Sequence, residues 1–270
     1  MAAGVAVTVV GVAAPAQAQD APDQQVGAVR VVHGLRGLVA DIYLDGTLVL
    51  PTFQPERSTD PLAIPAGDHL VEIRAAGAAA TDTPLLSQAV TVPGAFQGSL
   101  IAHLDAAGNP TLSPFVDDLT AVPAGQARLV VRHAAAASDV AVLLNDQAAF
   151  ADVAPKGEAT ELVPAGEYQV AVTATAGGNP LAAPQTVQFA DGTANFMYLI
   201  GSEADGTLGW AVVQVGNLQT APAMIQTGDG STMSATGDGG TTVAILGAAA
   251  VVAAAGAGLT VRKRRLATAR

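Results

Sequence analysis

Hydrophobic and polar positions alternate with a period of two over several short stretches of the chain. In His69–Arg74, Val71 and Ile73 fall on one face while Glu72 and Arg74 fall on the other, which predicts a half-buried strand. Val170 and Val172 set against Ala171 and Thr173 repeat the pattern later in the chain. Asp41–Gly46 places Ile42 and Leu44 inward and ends in Asp45-Gly46, a dipeptide that favours a tight hairpin. The segment Asp139–Asp146 reads as its counterpart, with Asp139 matched to Asp41 and Ala141 at the position of Tyr43. Polar turns at 105–110 and 203–206 separate apolar runs. Short strands at roughly 8–12-residue spacing without a helical period predict an antiparallel sandwich of about seven strands.

The pattern occurs twice. Val29–His33 parallels Leu129–His133, Pro65–His69 parallels Pro164–Tyr168, and Thr83–Leu85 parallels Asn179–Leu181, at offsets between 96 and 100. The body therefore divides into two homologous units, 24–121 and 122–220. The expected fold is all-β: two tandem antiparallel immunoglobulin-like β-sandwich domains, plus one C-terminal transmembrane helix. The likeness to immunoglobulins is architectural only, because the chain has no Cys and its single Trp, Trp210, lies near the end of unit two.

Both ends depart from this pattern. Residues 4–14 form a short apolar run that leads into Pro15, with small residues at Ala16 and Ala18. This predicts a signal peptide over 1–18, cleaved between Ala18 and Gln19. Met1 is followed directly by Ala2-Ala3-Gly4 without the usual basic segment, so a start upstream of Met1 is expected. At the other end, 221–241 is a Gly/Ser/Thr/Asp linker, flexible by composition. Residues 242–261 carry no charge over about 20 positions, the length needed to cross ~30 Å of hydrocarbon. Arg262-Lys263-Arg264-Arg265 then opens a basic tail, 262–270, which predicts a cytoplasmic C-terminus. Met233–Gly237 resembles the Leu-Pro-x-Thr-Gly sorting signal of Gram-positive surface proteins. Thr236 and Gly237 match the cleaved pair, while Met233 and Ser234 depart from Leu and Pro. The expected partners are the membrane, through a single span, and a sortase-type transpeptidase.

Charge sharpens this division. The formal net charge is -11, yet all 23 Asp and Glu precede residue 240 and five of the 12 Lys and Arg follow residue 261. A change of sign at a boundary marks a topological divide. The acidic balance argues against nucleic acid as a partner. The absence of Cys removes disulfides, zinc–thiolate sites and a cysteine nucleophile.

The opening Val-Arg-Val-Val-His of residues 29–33, the Asp-Ile-Tyr-Leu-Asp-Gly strand and the Pro-Ala-Gly-Asp-His turn resemble the bacterial family catalogued as domain of unknown function 4397. The resemblance covers about 190 residues and is closer in unit one. It implies exported bacterial proteins with such domains in tandem. With the composition and the sorting-like tail, it implies an actinobacterial surface protein.

Candidate chemistry is sparse. His33 and His133 hold equivalent places at the ends of the first strands, where packing with a backbone hydrogen bond accounts for both. Asp41 and Asp139 read as turn or capping residues. Asp45 and Asp117-Asp118 are the candidates for calcium, but no spaced Asp-x-Asp-x-Asp motif is present. His69 faces Tyr168 in the repeat alignment and His103 faces Gly201, so neither is a shared ligand. Ser58, Ser87, Ser99, Ser113, Ser138 and Ser202 lack a nucleophile-elbow context. The reading expects no catalytic residue, no cofactor and no metal. The expected function is a non-enzymatic cell-surface anchored protein whose sandwich modules serve adhesion, scaffolding or binding of an envelope component such as a wall polymer or surface protein. The alternative is an exported carbohydrate-active or other hydrolase, with paired acids in a site between the two units.

Overall fold

A computed structural model describes residues 25–79 and 81–219. The expected signal peptide with its Ala18/Gln19 cleavage site, the expected linker, Thr236 and Gly237, the uncharged stretch 242–261 and the basic tail lie outside the described residues.

Within them the fold is all-β. The first repeat forms β1 (Val26–His33), β2 (Ala40–Leu44), β3 (Thr47–Phe53), β4 (Leu62–Pro65), β5 (Gly67–Ala75), β6 (Leu86–Val92), β7 (Gln97–Leu104) and β8 (Pro110–Val116). The second forms β9 (Gln126–Ala136), β10 (Val140–Leu144), β11 (Gln147–Val153), β12 (Glu158–Pro164), β13 (Gly166–Ala174), β14 (Gln185–Phe189), β15 (Ala194–Ser202) and β16 (Gly209–Val215). Each repeat makes two four-stranded sheets: β4-β1-β7-β8 with β3-β2-β5-β6, and β12-β9-β15-β16 with β11-β10-β13-β14. Each repeat thus has eight strands where the sequence suggested about seven. No helix among the described residues is long and apolar enough to cross a membrane.

The purely antiparallel expectation fails at one pair in each repeat. β1 runs parallel to β7, from Ala28 beside Gln97 to His33 beside Ala102. β9 runs parallel to β15, from Arg128 beside Ala194 to Ala136 beside Ser202. The chain passes through the opposite sheet between these partners, so no hairpin constrains their direction.

Periodicity explains the cores. Val71 and Ile73 on β5, and Val170 and Val172 on β13, are buried between the paired sheets as the alternation predicts. β15 departs from alternation, since all nine of its residues are buried. Its Met197 and Leu199 face the second sandwich's own core, whereas Phe196, Tyr198 and Ile200 face a third cluster with Val130 and Ala134 of β9 and Val32 and Ile101 of the first repeat. The outer faces of the β1 and β9 sheets therefore meet in a buried joint. Gly34 sits there because a Cβ would come within 2.8 Å of the Ala102 carbonyl oxygen and 2.9 Å of an Ile200 methyl.

The hairpins fix the register between repeats. Asp45 and Gly46 have φ of 50° and 78°, and Asn145 and Asp146 have 48° and 63°, the two positive values of a type I′ turn. Asp45 Oδ1 accepts the Leu70 amide at 2.8 Å and Asn145 Oδ1 accepts the Gln169 amide at 2.9 Å. Matching the turns aligns Leu44 with Leu144, Tyr43 with Leu143 and Asp41 with Ala141, because Leu44 pairs with Val71 and Leu144 with Val170. Asp139 is therefore not the counterpart of Asp41; pairing the two acids by identity slipped the register by two residues. Asp146 is an exposed non-glycine residue at a position where the first repeat places Gly46. Asp146→Gly is expected to stabilise the protein by about 1 kcal/mol, read as a rise of a few degrees in thermal midpoint.

Candidate functional site

The candidates from the sequence are dispersed and mostly engaged in structural bonds. His33 and His133 close the ends of their strands in the same way. Each backbone N–H donates to a loop carbonyl, Arg57 at 2.9 Å and Gly157 at 3.0 Å. Each Nδ1 accepts a backbone N–H two residues on, Leu35 at 3.3 Å and Ala135 at 3.4 Å. His133 Nε2 donates to the Ser138 carbonyl at 2.9 Å. Both rings are buried, and desolvation pushes both below the usual imidazole value. His103 is also buried and lowered by desolvation, with Nδ1 donating to the Leu104 carbonyl at 2.8 Å and Nε2 accepting from Ser113 Oγ at 2.9 Å.

The acidic candidates are tied up separately. Asp41 accepts the Thr52 amide at 2.7 Å and the Gly77 amide at 2.9 Å, which hold its carboxyl below the usual range. Asp45 Oδ2 lies 2.6 Å from His69 Nδ1, and His69 Nε2 lies 2.8 Å from the Pro65 carbonyl oxygen. An imidazole facing two acceptors favours its protonated form, and the Asp45 bond is the main reason its pKa is raised. Tyr168 does the same structural work in the second repeat, its hydroxyl donating to the Pro164 carbonyl at 2.9 Å. Asp118 accepts the Thr120 hydroxyl at 2.7 Å and lies 3.3 Å from Arg128 Nε. The structure does not bring Asp45, Asp117 and Asp118 together, and among the described residues no three His, Asp or Glu side chains converge as a metal site.

The densest constellation is one the sequence did not mark. Arg132, on β9, is fully buried in the joint at 0% exposure. Its Nη1 lies 2.8 Å from Asp117 Oδ1, 2.7 Å from Ser99 Oγ and 2.7 Å from the Tyr198 hydroxyl. Nη2 donates to the Val116 carbonyl at 2.8 Å and Nε to Glu158 Oε2 at 2.6 Å. The guanidinium carbon sits 4.8, 4.6 and 5.3 Å from the ring centres of Phe115, Phe196 and Tyr198. Ser99, Phe115, Val116 and Asp117 come from the first repeat, the other partners from the second. Burial pushes the Tyr198 phenol up, so it stays protonated. No substrate can reach a group this enclosed, and its chemistry is that of a fastener. Arg36 adds a bond across the joint, donating to the Thr207 carbonyl at 2.7 Å.

These features define a pair of β-sandwiches joined face to face through a buried ionic node. Residues 27–142 match the family model described as domain of unknown function, DUF4397. The match covers the first sandwich and runs on through β9 into β10. No curated protein matches the chain.

Removing the arginine alone would leave Asp117 buried without its partner. Arg132→Ala is expected to lower stability by about 3–5 kcal/mol, measured by denaturant titration. Arg132→Met combined with Asp117→Asn should cost much less, since no lone charge remains buried.

The histidines set a pH dependence. His33, His103 and His133 have lowered folded values, so the unfolded chain binds their protons first as pH falls below about 6.5. Their stabilisation is present above that pH and is lost on acidification. His69 acts in the opposite sense: its contribution is present below about 6.5 and fades as pH rises through its raised value. Three buried rings outweigh one partly exposed pair, so the thermal midpoint is expected to fall from pH 7 to pH 5. His103→Gln should flatten that slope.

Proposed function

We propose that the protein is a non-enzymatic bacterial surface protein. In this reading residues 242–261 hold it in the membrane, and two immunoglobulin-like sandwiches stand outside for adhesion, scaffolding or binding of an envelope component. The observation that carries the reading is the joint at Arg132. It couples the two sandwiches through a desolvated ionic node, an arrangement suited to a stiff projecting module. The sequence adds support, with its acidic body, its uncharged stretch and its basic tail.

The same reading gives the tail a reaction. A sortase-type transpeptidase supplies the thiolate, since this chain has no Cys. The thiolate attacks the Thr236 carbonyl to form a thioester, the Gly237 nitrogen takes a proton and leaves as an amine with the span, and an amine of a wall precursor then displaces the thiolate to form a new amide. The basic cluster Arg262–Arg265 keeps the substrate in the membrane until then.

Fractionation of native cells tests both levels. The full chain is expected in the envelope, with the sandwiches open to protease added outside. Wild type is expected in the covalent wall fraction, and Thr236→Ala in the detergent-extractable membrane at unchanged thermal midpoint. Wild type that remains detergent-extractable overturns the sorting step. A chain found in the cytosol overturns the surface assignment.

A further inference from the structure

The two sandwiches share a frame but differ in how it is filled. The strand registers give the equivalences. Val92 lies opposite Gly67 as Phe189 lies opposite Gly166. Ala102 lies beside His33 and opposite Leu112, as Leu199 lies beside His133 and opposite Trp210. Leu50 lies opposite Ile42 as Phe150 lies opposite Val142. At four core positions the first sandwich thus has Leu50, Val92, Ala102 and Leu112 where the second has Phe150, Phe189, Leu199 and Trp210. Each is the smaller of its pair.

At three of the four the missing bulk coincides with a cavity: Ala102 and Leu112 line one and Val92 the other, while Leu50 lines neither. One, of about 270 Å³, is lined by Ile42, Leu44, Leu100, Ala102 and Leu112, with Tyr43 at its side. The other, of about 300 Å³, is lined by Val92, Phe96, Leu100 and Pro114, with Gln88 and Thr91 as its polar members. Leu100 lines both. The first reaches Val49 of β3 and Leu62 of β4, which are edge strands of opposite sheets. The second reaches β6 and β8, the edge strands of the other seam, where Gln88 bonds to both the N–H and the C=O of Leu112 at 3.0 and 3.2 Å. In the second sandwich, β11 and β12 approach each other more closely than β3 and β4 do.

We propose that the first sandwich is a binding site for a single aliphatic chain, as in a fatty acid or the acyl tail of an amphiphile. The lining is mostly aliphatic, with Tyr43, Phe96, Gln88 and Thr91 the exceptions and no charged side chain in either lobe, which disfavours a charged group inside. Each lobe exceeds the ~150 Å³ that admits benzene in an apolar protein interior. The two together fall within the ~300–1,000 Å³ of ordinary ligand sites. Both lie inside a layer ~10 Å thick between two sheets and share Leu100 in their linings, which suits a thin flexible chain rather than a broad ring system. The polar head stays in water at a seam. The second sandwich, with Phe189, Leu199 and Trp210 at the matching positions, is the structural partner. The site is independent of where the protein resides.

The test uses the full-length chain with labelled Ile, Leu and Val methyl groups, followed by NMR. Sodium dodecanoate below its micellar concentration is expected to shift Ile42, Leu100 and Leu112 saturably, leaving Leu129 and Val172 in place. Ala102→Leu with Leu112→Trp transplants the second repeat's residues and is expected to weaken binding at least tenfold. Val92→Phe fills only the second lobe and carries the test should the double variant not fold. A lysophospholipid of equal chain length separates the sources: competition for the same methyls identifies acyl chains in general, and shifts from dodecanoate alone identify free fatty acid. Xenon under pressure is the control. Shifts with xenon but not with either amphiphile would reveal a mere packing void and overturn the proposal, as would cavity methyls that respond to none of the three.

Discussion

The buried guanidinium of Arg132 is the constraint around which the two sandwiches are arranged. Taking that charge out of water is costly, and the loss is offset only if its hydrogen-bonding positions meet acceptors. The second repeat supplies Glu158 and the Tyr198 hydroxyl, but Asp117, Ser99 and the Val116 carbonyl must come from the first. The ion is satisfied in one relative placement of the sandwiches, so it selects that placement. Apolar contacts such as Val32, Ile101, Phe196 and Ile200 supply attraction without direction. Phe115, Phe196 and Tyr198 offer their ring faces to the cation and so belong to both kinds of contact.

The repeats show which features of the frame are held and which are free to vary. The I′ turns, the amide accepted by the turn side chain and the bond to a proline carbonyl occur in both, although Asp45 becomes Asn145 and His69 becomes Tyr168. Different chemistry satisfies the same backbone demand. The interior obeys a looser rule, since Ala102 and Leu199 occupy one position in the frame. Strand register is set by turns and ladder bonds, which leaves the packing between sheets able to diverge.

Where one sheet face meets a core and the other meets water, the sequence was readable. β5 and β13 and the Asp45-Gly46 turn follow from alternation and turn chemistry. Strand direction was not readable, because the period of side chains is the same in parallel and antiparallel pairs. The doubly buried β15 hid its second face, since a continuous apolar run carries no period. Arg132 lay in the Leu-Val-Val-Arg-His landmark, yet nothing local distinguishes an arginine that points into a joint from one that points into water. The histidines were read better: the backbone bonds of His33 and His133 follow the packing expected for them.

Parallel closure also has a temporal side. β1 finds its parallel partner only when Gln97–Ala102 has been made, about 70 residues later. In a chain that emerges N-terminus first, β1 stays without that neighbour for the interval in which the intervening residues emerge. An unpaired strand with Val29 and Val32 on its two faces is an aggregation hazard over such an interval. β4, which pairs with β1 through residues fewer than 40 positions away, is available sooner and covers one edge. The short strand Leu62–Pro65 is thus the nearer in sequence of the two strands that flank β1, and the one whose pairing closes the shorter loop.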